Sequence, residues 1–198
     1  MKNYIFLDIE TVPFKIEHED VKEYLMDKKI SKEQRAFDPN YCKIITIGIK
    51  KMNEDTKIFF GEEKEILQKL WSYLNENSDA VIVTHNGYKF DIPFIILRSC
   101  INDVDVPIKI NTSKWGMERS NHFDVMLFLS HYESFSNINL DILGKMHKIE
   151  VDGERFRGAE IERLFKEKKF DKINEHCKQD LELLENVFKK LCLKYLGK

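Results

Sequence analysis

No stretch of this 198-residue chain approaches the ~20 consecutive apolar residues that a membrane-spanning helix needs. The opening MKNYIFLDIE has only a short apolar run, reaches acids at once and offers no small-residue cleavage site, so it does not read as a secretory signal. The four cysteines (Cys42, Cys100, Cys177, Cys192) form no CxxC pair, which argues against a zinc ribbon and a redox dithiol. Scattered thiols without a dense framework fit a reducing compartment, and the chain is expected in the cytoplasm with no membrane association. A formal charge of −2 argues against coating nucleic acid through a broad basic surface. It leaves open an enzyme that grips one strand end, because bound divalent metals change the local charge. There is no internal repeat and no low-complexity linker, and the length suggests one domain over residues 1–198.

What is present is an ordinary globular composition, 42% hydrophobic and 33% charged. Tyr4-Ile5-Phe6-Leu7 is apolar without alternation, the pattern of a central strand buried on both faces. Residues 14–40 are polar and irregular, with a short helix predicted over 17–29, and read as an insertion packed at the edge. The β-branched run 43–50 predicts a second strand, and 57–60 a third, joined to it as a hairpin. Ile66, Leu67, Leu70, Trp71 and Leu74 share one face of a helix over 63–75, with Trp71 as core. A fourth strand is predicted at 80–84. Helices follow at 91–99, 124–131, 139–147, 159–167 and 173–196. Strands first and helices later, with a hairpin before a strand–helix crossover, imply a mixed sheet covered by helices, an α/β or α+β arrangement.

Three features carry chemistry. In Phe6-Leu7-Asp8-Ile9-Glu10-Thr11, side chains at i and i+2 of a strand share a face, so Asp8 and Glu10 project together. Adjacent carboxylates repel unless a cation sits between them, and hard oxygen ligands suit Mg²⁺ or Mn²⁺. Taken alone, the pair is equally a strand end running into solvent. Next, Asn86-Gly87-Tyr88-Lys89-Phe90-Asp91 follows the fourth strand, and open sheets bind ligands at the carboxyl ends of their strands. Asp91 alone would also serve as a helix cap. Finally, His176 and Asp180 lie four apart on one face of the last helix, where a solvated face is the default reading.

Taken in order, these motifs resemble the DEDD exonuclease superfamily, and in particular the stand-alone nucleases similar to the 3′→5′ exonuclease domain of family B DNA polymerases. Asp-Ile-Glu-Thr matches the first motif, Asn-x-x-x-Phe-Asp the second, and His-x-x-x-Asp the third. The flanking VIVTHNGYKFDIPFIILRS, HFDVMLFLS, the Gly-x-x-Ile-x-x-Leu-Phe stretch ending at Phe165, and HCKQDLELL are also similar, so the likeness spans nearly the whole chain. One departure stands out. The polymerase-like branch carries Tyr four residues before the last Asp, and another branch carries His five before it. Here Glu175 is five before and His176 four before.

The resemblance implies an RNase H-like fold with a mixed five-stranded sheet and helices packed on it. It also implies two-metal phosphodiester hydrolysis, in which two ions ~4 Å apart activate a water and stabilise the leaving 3′ oxygen. By that likeness Asp8 bridges both ions, Glu10 and Asp180 bind the ion carrying the water, and Asp91 holds the second. His176 orients or deprotonates the water. Thr11, Asn86 and Phe90 contact the terminal nucleotide. The implied partners are 3′ ends of single-stranded nucleic acid, DNA ahead of RNA. The competing readings are an RNA-directed exonuclease and a non-catalytic nucleic-acid-binding module on the same fold.

Other residues have simpler explanations. Asp124 precedes an apolar helix and reads as an N-cap, with support of the metal ligands as the alternative. His85 ends a strand beside the site, where a core or backbone-bonded role competes with a catalytic one. Lys189, Lys190, Lys194 and Lys198 read as a solvated helix end. Lys109, Lys114 and Arg119 flank Trp115-Gly116, a combination that suits tracking a single strand.

Overall fold

The structure is a computed structural model and describes residues 2–31, 35–117, 120–153 and 158–196. Five strands, β1 (Tyr4–Pro13), β2 (Cys42–Lys51), β3 (Thr56–Phe60), β4 (Val81–Thr84) and β5 (His122–Asp124), form one sheet in the order β3-β2-β1-β4-β5. β1 runs antiparallel to β2 and parallel to β4, β2 and β3 form the expected hairpin, and β4 and β5 are parallel. The helices are α1 (Glu19–Asp27), α2 (Glu63–Glu76), α3 (Asp91–Ile101), α4 (Val125–Leu129), α5 (Leu140–Met146), α6 (Gly158–Lys166), α7 (Phe170–Val187) and α8 (Leu193–Leu196), with a π-helical turn at Phe188–Cys192. No helix among the described residues is long and apolar enough to cross a membrane.

The unalternating start of β1 has the expected cause. Ile5, Leu7 and Ile9 enter one core with Ile66, Leu70 and Trp71 of α2 and Ile92, Phe94 and Ile95 of α3. Tyr4 and Phe6 enter another with Leu181, Leu184 and Val187 of α7 and Phe188. The period-2 rule then puts Asp8 and Glu10 on the α7 face. β1 extends beyond its apolar start to Pro13, and a bulge interrupts its pairing: Glu10 faces Thr46, Thr11 faces Ile44, and Ile45 is the extra residue. The bulge reverses the parity of β2. Ile47 and Ile49 point toward α2, whereas Ile45 packs with Val12, Ile161, Leu164 and Ile173.

Two further elements differ from their sequence readings. The segment read as a helix from 124 begins with β5, only three residues long and too short to show a period, and the helix proper covers Val125–Leu129. The helix read as continuous over 173–196 starts earlier, at Phe170, and passes through the π-helical turn before α8.

Candidate active site

Asp8 and Glu10 stand two residues apart on β1, immediately before the bulge. Three contacts set α7 above them. Thr46, the β2 residue opposite Glu10, has its hydroxyl 3.1 Å from Asn174 Oδ1. Gly48, opposite Asp8, lets the helix close on the sheet: a Cβ there would come within 2.6 Å of both Cys177 Sγ and Leu181 Cδ1. Further along, buried Glu185 accepts the Asn53 N–H at 2.7 Å and pairs with Lys50 at 3.4 Å, fastening α7 to the β2–β3 hairpin. His176 is thereby buried with Nε2 3.7 Å from Glu10 Oε1 and 3.7 Å from Asp180 Oδ2. Glu175, the five-back residue, is exposed and lies 4.0 Å from Lys178. The residue facing the acids is thus the one at the tyrosine spacing.

Two three-donor groups result, each with its ligand atoms within 4.8 Å of one another: Asp8, Glu10 and Cys177, and Glu10, His176 and Asp180. Glu10 belongs to both. Asp91, at the start of α3, lies outside these groups, and its Oδ1 accepts the Ile9 N–H at 3.2 Å. Its charge still acts on Asp8 and Glu10.

The loop leading to Asp91 is built from β4 and β5. Gly87 sits against Thr84, where a Cβ would collide with the threonine side chain. Asn86 adopts φ +67°, which asparagine tolerates better than most residues. Asp124 caps α4 through Leu127 N (3.1 Å), as expected, and also accepts the N–H groups of Asn86 (3.0 Å) and Tyr88 (2.9 Å). One carboxylate thus ties β5 and α4 to the loop that ends at Asp91. His122 bridges Thr84 Oγ1 (2.8 Å) and Asn111 O (3.0 Å), and His85 Nε2 meets Ile138 O at 3.0 Å, a backbone-bonded role.

The electrostatics are those of crowded, buried acids. Burial, followed by the charges of Asp180, Glu10 and Asp91, pushes Asp8 well above the usual carboxylate range. Burial, then Asp180 and Asp91, does the same to Glu10. Burial lifts Asp91 to about 7, with Asp124 adding to it and the N–H donors of Asp91 and Ile9 opposing. Burial, followed by the charges of Asp8, Glu10 and Asp180, raises the Cys177 thiol well above its ordinary value. No lysine or arginine among the described residues pairs with Asp8, Glu10 or Asp91. A divalent cation would relieve every one of these strains, and hard carboxylate oxygens are the donors such ions take.

A family of predicted 3′→5′ exonucleases related to the exonuclease domain of PolB matches residues 32–184. The chain belongs to this family. The match covers Asp91, His176 and Asp180 and begins after Asp8 and Glu10, which the fold then brings to the other two acids. Membership agrees with the five-stranded sheet. The family B DNA polymerase from the hyperthermophilic archaeon Pyrobaculum calidifontis has a similar fold, with a TM-score of 0.70 at 14% identity. The likeness covers 96% of this chain and 24% of that one, so the chain corresponds to about a quarter of the polymerase's length. Among curated proteins, none matches this chain in sequence.

Of the residues singled out in the sequence, Asp8, Glu10, His176 and Asp180 converge directly, and Asp91 acts on the group electrostatically. Thr11 is the half-exposed residue just past the bulge, and Asn86 and Phe90 belong to the β4–α3 loop. The basic groups are partly matched. Lys114 pairs with Glu133 at 2.7 Å and lies over Trp115, and Lys189 pairs with Glu185 at 2.7 Å. Arg119 and Lys198 lie outside the described residues. Sequence reasoning missed Cys177, whose only signal was its place beside His176. It also missed Gly48, although a lone glycine inside a strand run signals close approach of another element.

Proposed function

We propose that this chain removes nucleotides from the 3′ ends of single-stranded DNA by hydrolysis assisted by two divalent ions, Mg²⁺ or Mn²⁺. The observation that carries this reading is the pair of adjoining donor groups that share Glu10 and have no Lys or Arg partner at Asp8 or Glu10 among the described residues. Family membership supports the 3′→5′ polarity, and kinship to a DNA polymerase's exonuclease domain favours DNA. Asp8, Glu10, Asp91 and Asp180 would hold the ions. When bound, these ions supply the Lewis acidity that activates a water and stabilises the leaving 3′ oxygen.

The chain's own residues do the rest. His176 would orient or deprotonate the attacking water, a role supported by its Nε2 lying 3.7 Å from both Glu10 Oε1 and Asp180 Oδ2. Asp91 keeps one oxygen on the Ile9 N–H, which fixes the start of α3 against β1. Thr11, Asn86 and Phe90 would contact the terminal nucleotide. This reading treats residues 1–198 as one exonuclease domain with 14–40 as an insertion. Four free cysteines suit the cytoplasm.

The test is degradation of end-labelled single-stranded DNA, duplex DNA and RNA in Mg²⁺ or Mn²⁺. The expected result is mononucleotide release, fastest from single-stranded DNA and abolished by EDTA or Asp8→Ala. Faster digestion of RNA would reassign the substrate. Robust cleavage in excess EDTA, or an unimpaired Asp8→Ala variant, would sink the reading. His176→Ala should lose most of the rate while Mn²⁺ binding persists, and His176→Tyr should recover part of it if spacing governs the role.

A further inference from the structure

Three phenylalanines form a ladder of rings from the core to solvent. Phe94 is 1% exposed, and its ring lies 5.2 Å from that of half-buried Phe90 at 63°. The Phe90 ring lies 5.7 Å from Phe37 at 71°, and Phe37 is 69% exposed. A single exposed apolar side chain is ordinary. Phe37 differs in how it is held and in where the ladder leads. The backbone around it is pinned: Arg98 Nη1 donates to Pro39 O at 3.1 Å, Tyr41 N to Asp38 O at 3.0 Å, and Asn40 N to Asp38 Oδ1 at 2.8 Å. Arg98 is itself buried and held by Glu63 at 2.8 and 2.5 Å. The ring is therefore presented on a braced support, so little freedom remains to be lost when a flat ligand lands on it. The middle rung of the ladder, Phe90, is the chain neighbour of Asp91.

We propose that Phe37 is a base-stacking platform for the 3′-terminal nucleotides of the substrate strand. This rests on the exonuclease reading for the identity of its occupant. Every nucleobase has a π-face, so an uncharged phenyl ring accepts all four and reads no sequence, as an enzyme that consumes a strand end stepwise requires. Phe37 reaches the carboxylates only through its ring contact with Phe90, the residue before Asp91, so the platform should affect substrate binding and leave the hydrolytic step alone.

Four proteins, wild type, Phe37→Ala, Phe37→Leu and Phe37→Trp, are compared by steady-state cleavage of single-stranded DNA in Mn²⁺ and by fluorescence anisotropy with a labelled oligonucleotide in Ca²⁺. Loss of one base–aromatic stack should weaken Kd and raise KM about fivefold to a hundredfold in Phe37→Ala, with kcat changed by less than about twofold. Tryptophan should restore binding, and leucine, apolar but not flat, should not. On an oligonucleotide with abasic sites at its last three 3′ positions, wild type and Phe37→Ala should bind alike. Thermal melting separates stacking from folding, because truncating so exposed a ring should leave Tm unchanged; if Tm falls, the leucine–tryptophan difference decides. A Phe37→Ala or Phe37→Leu variant that binds and cleaves like wild type overturns the platform while leaving the exonuclease reading intact. Weakened binding by Phe37→Ala in a wild-type protein that binds but never cleaves keeps the platform and removes the exonuclease reading. A wild-type chain that binds no oligonucleotide overturns both.

Discussion

Glu63 and Glu10 are both buried glutamates, and the protein treats them in opposite ways. Glu63 is fully provided for. Its Oε1 accepts from Ile44 N (2.7 Å) and Arg98 Nε (2.8 Å), and its Oε2 from Arg98 Nη2 (2.5 Å) and Asn102 Nδ2 (3.0 Å). Arg98 also lies over the Phe14 ring, 4.8 Å from its centroid, and donates to Pro39 O, so the same network holds Phe14 and Pro39. Glu10 has His176 at 3.7 Å and is crowded by the charges of Asp180 and Asp91, which together with burial raise its pKa. A buried charge is stable only when paired and hydrogen-bonded. The fold completes that requirement at Glu63 and supplies no Lys or Arg for Glu10 among the described residues, which suits the proposed cation there. Burial alone therefore does not distinguish a structural acid from a candidate metal ligand. The sign of its neighbours does.

The largest effect expected from breaking this contrast is on activity. Asp8→Ala should reduce cleavage by more than about a hundredfold, the scale that losing even an outer partner of a metal ligand can reach, as measured by single-turnover degradation. Arg98→Ala, on the satisfied side, should instead destabilise folding by about 3–5 kcal/mol, because it strands a buried carboxylate; urea denaturation measures it, and a loss below about 1 kcal/mol would mean Glu63 finds another partner.

The third effect is on pH dependence and has the opposite sign from ordinary salt-bridged acids. Asp91 titrates near 7 when folded and about 3.9 when unfolded. The folded state therefore holds the proton more tightly. Its penalty is absent below pH about 4, grows as pH rises and is complete above the folded value. The metal-free protein should lose a few kcal/mol between pH 5 and 8, seen as a falling Tm in EDTA. Asp91→Asn should reduce that slope, with raised Asp8 and Glu10 supplying the remainder, and saturating Mn²⁺ should reverse it. A metal-free Tm that climbs over this range would contradict the unpaired-acid account. The smallest effect is geometric. Gly48→Ala should cost about 1–3 kcal/mol by overpacking against Cys177 and Leu181. Its activity should fall beyond what the unfolded fraction explains, because α7 carries His176 and Asp180.

The elements whose pattern is local were legible in the residue order. The β1 run buried on both faces, the β2–β3 hairpin and the α2 stripe of Ile66, Leu67, Leu70 and Trp71 appear where their periodicity puts them. β5 was not legible, because three residues cannot display a period and its pairing with β4 supplies the extended geometry. Nor was the extra residue Ile45, since a β-branched run looks the same with or without a bulge. For Asp124 the cap was readable from the apolar helix behind it. Its hold on Asn86 and Tyr88 was not, because those partners lie 38 and 36 residues away.

By itself, the sequence determined which acids were available, that Asp8 and Glu10 share a face, and that His176 and Asp180 share another. These follow from the 2.0 and 3.6 residue periods of strand and helix. Only the tertiary structure decided that the two faces meet. That depends on Gly48 letting α7 approach, on Thr46 meeting Asn174, and on Glu185 fastening the helix to the hairpin. It also decided that His176 rather than Glu175 turns toward Glu10, because the buried face of α7 includes position 176 and leaves 175 in solvent. Pairing across more than a hundred residues is a property of packing, and no local period encodes it.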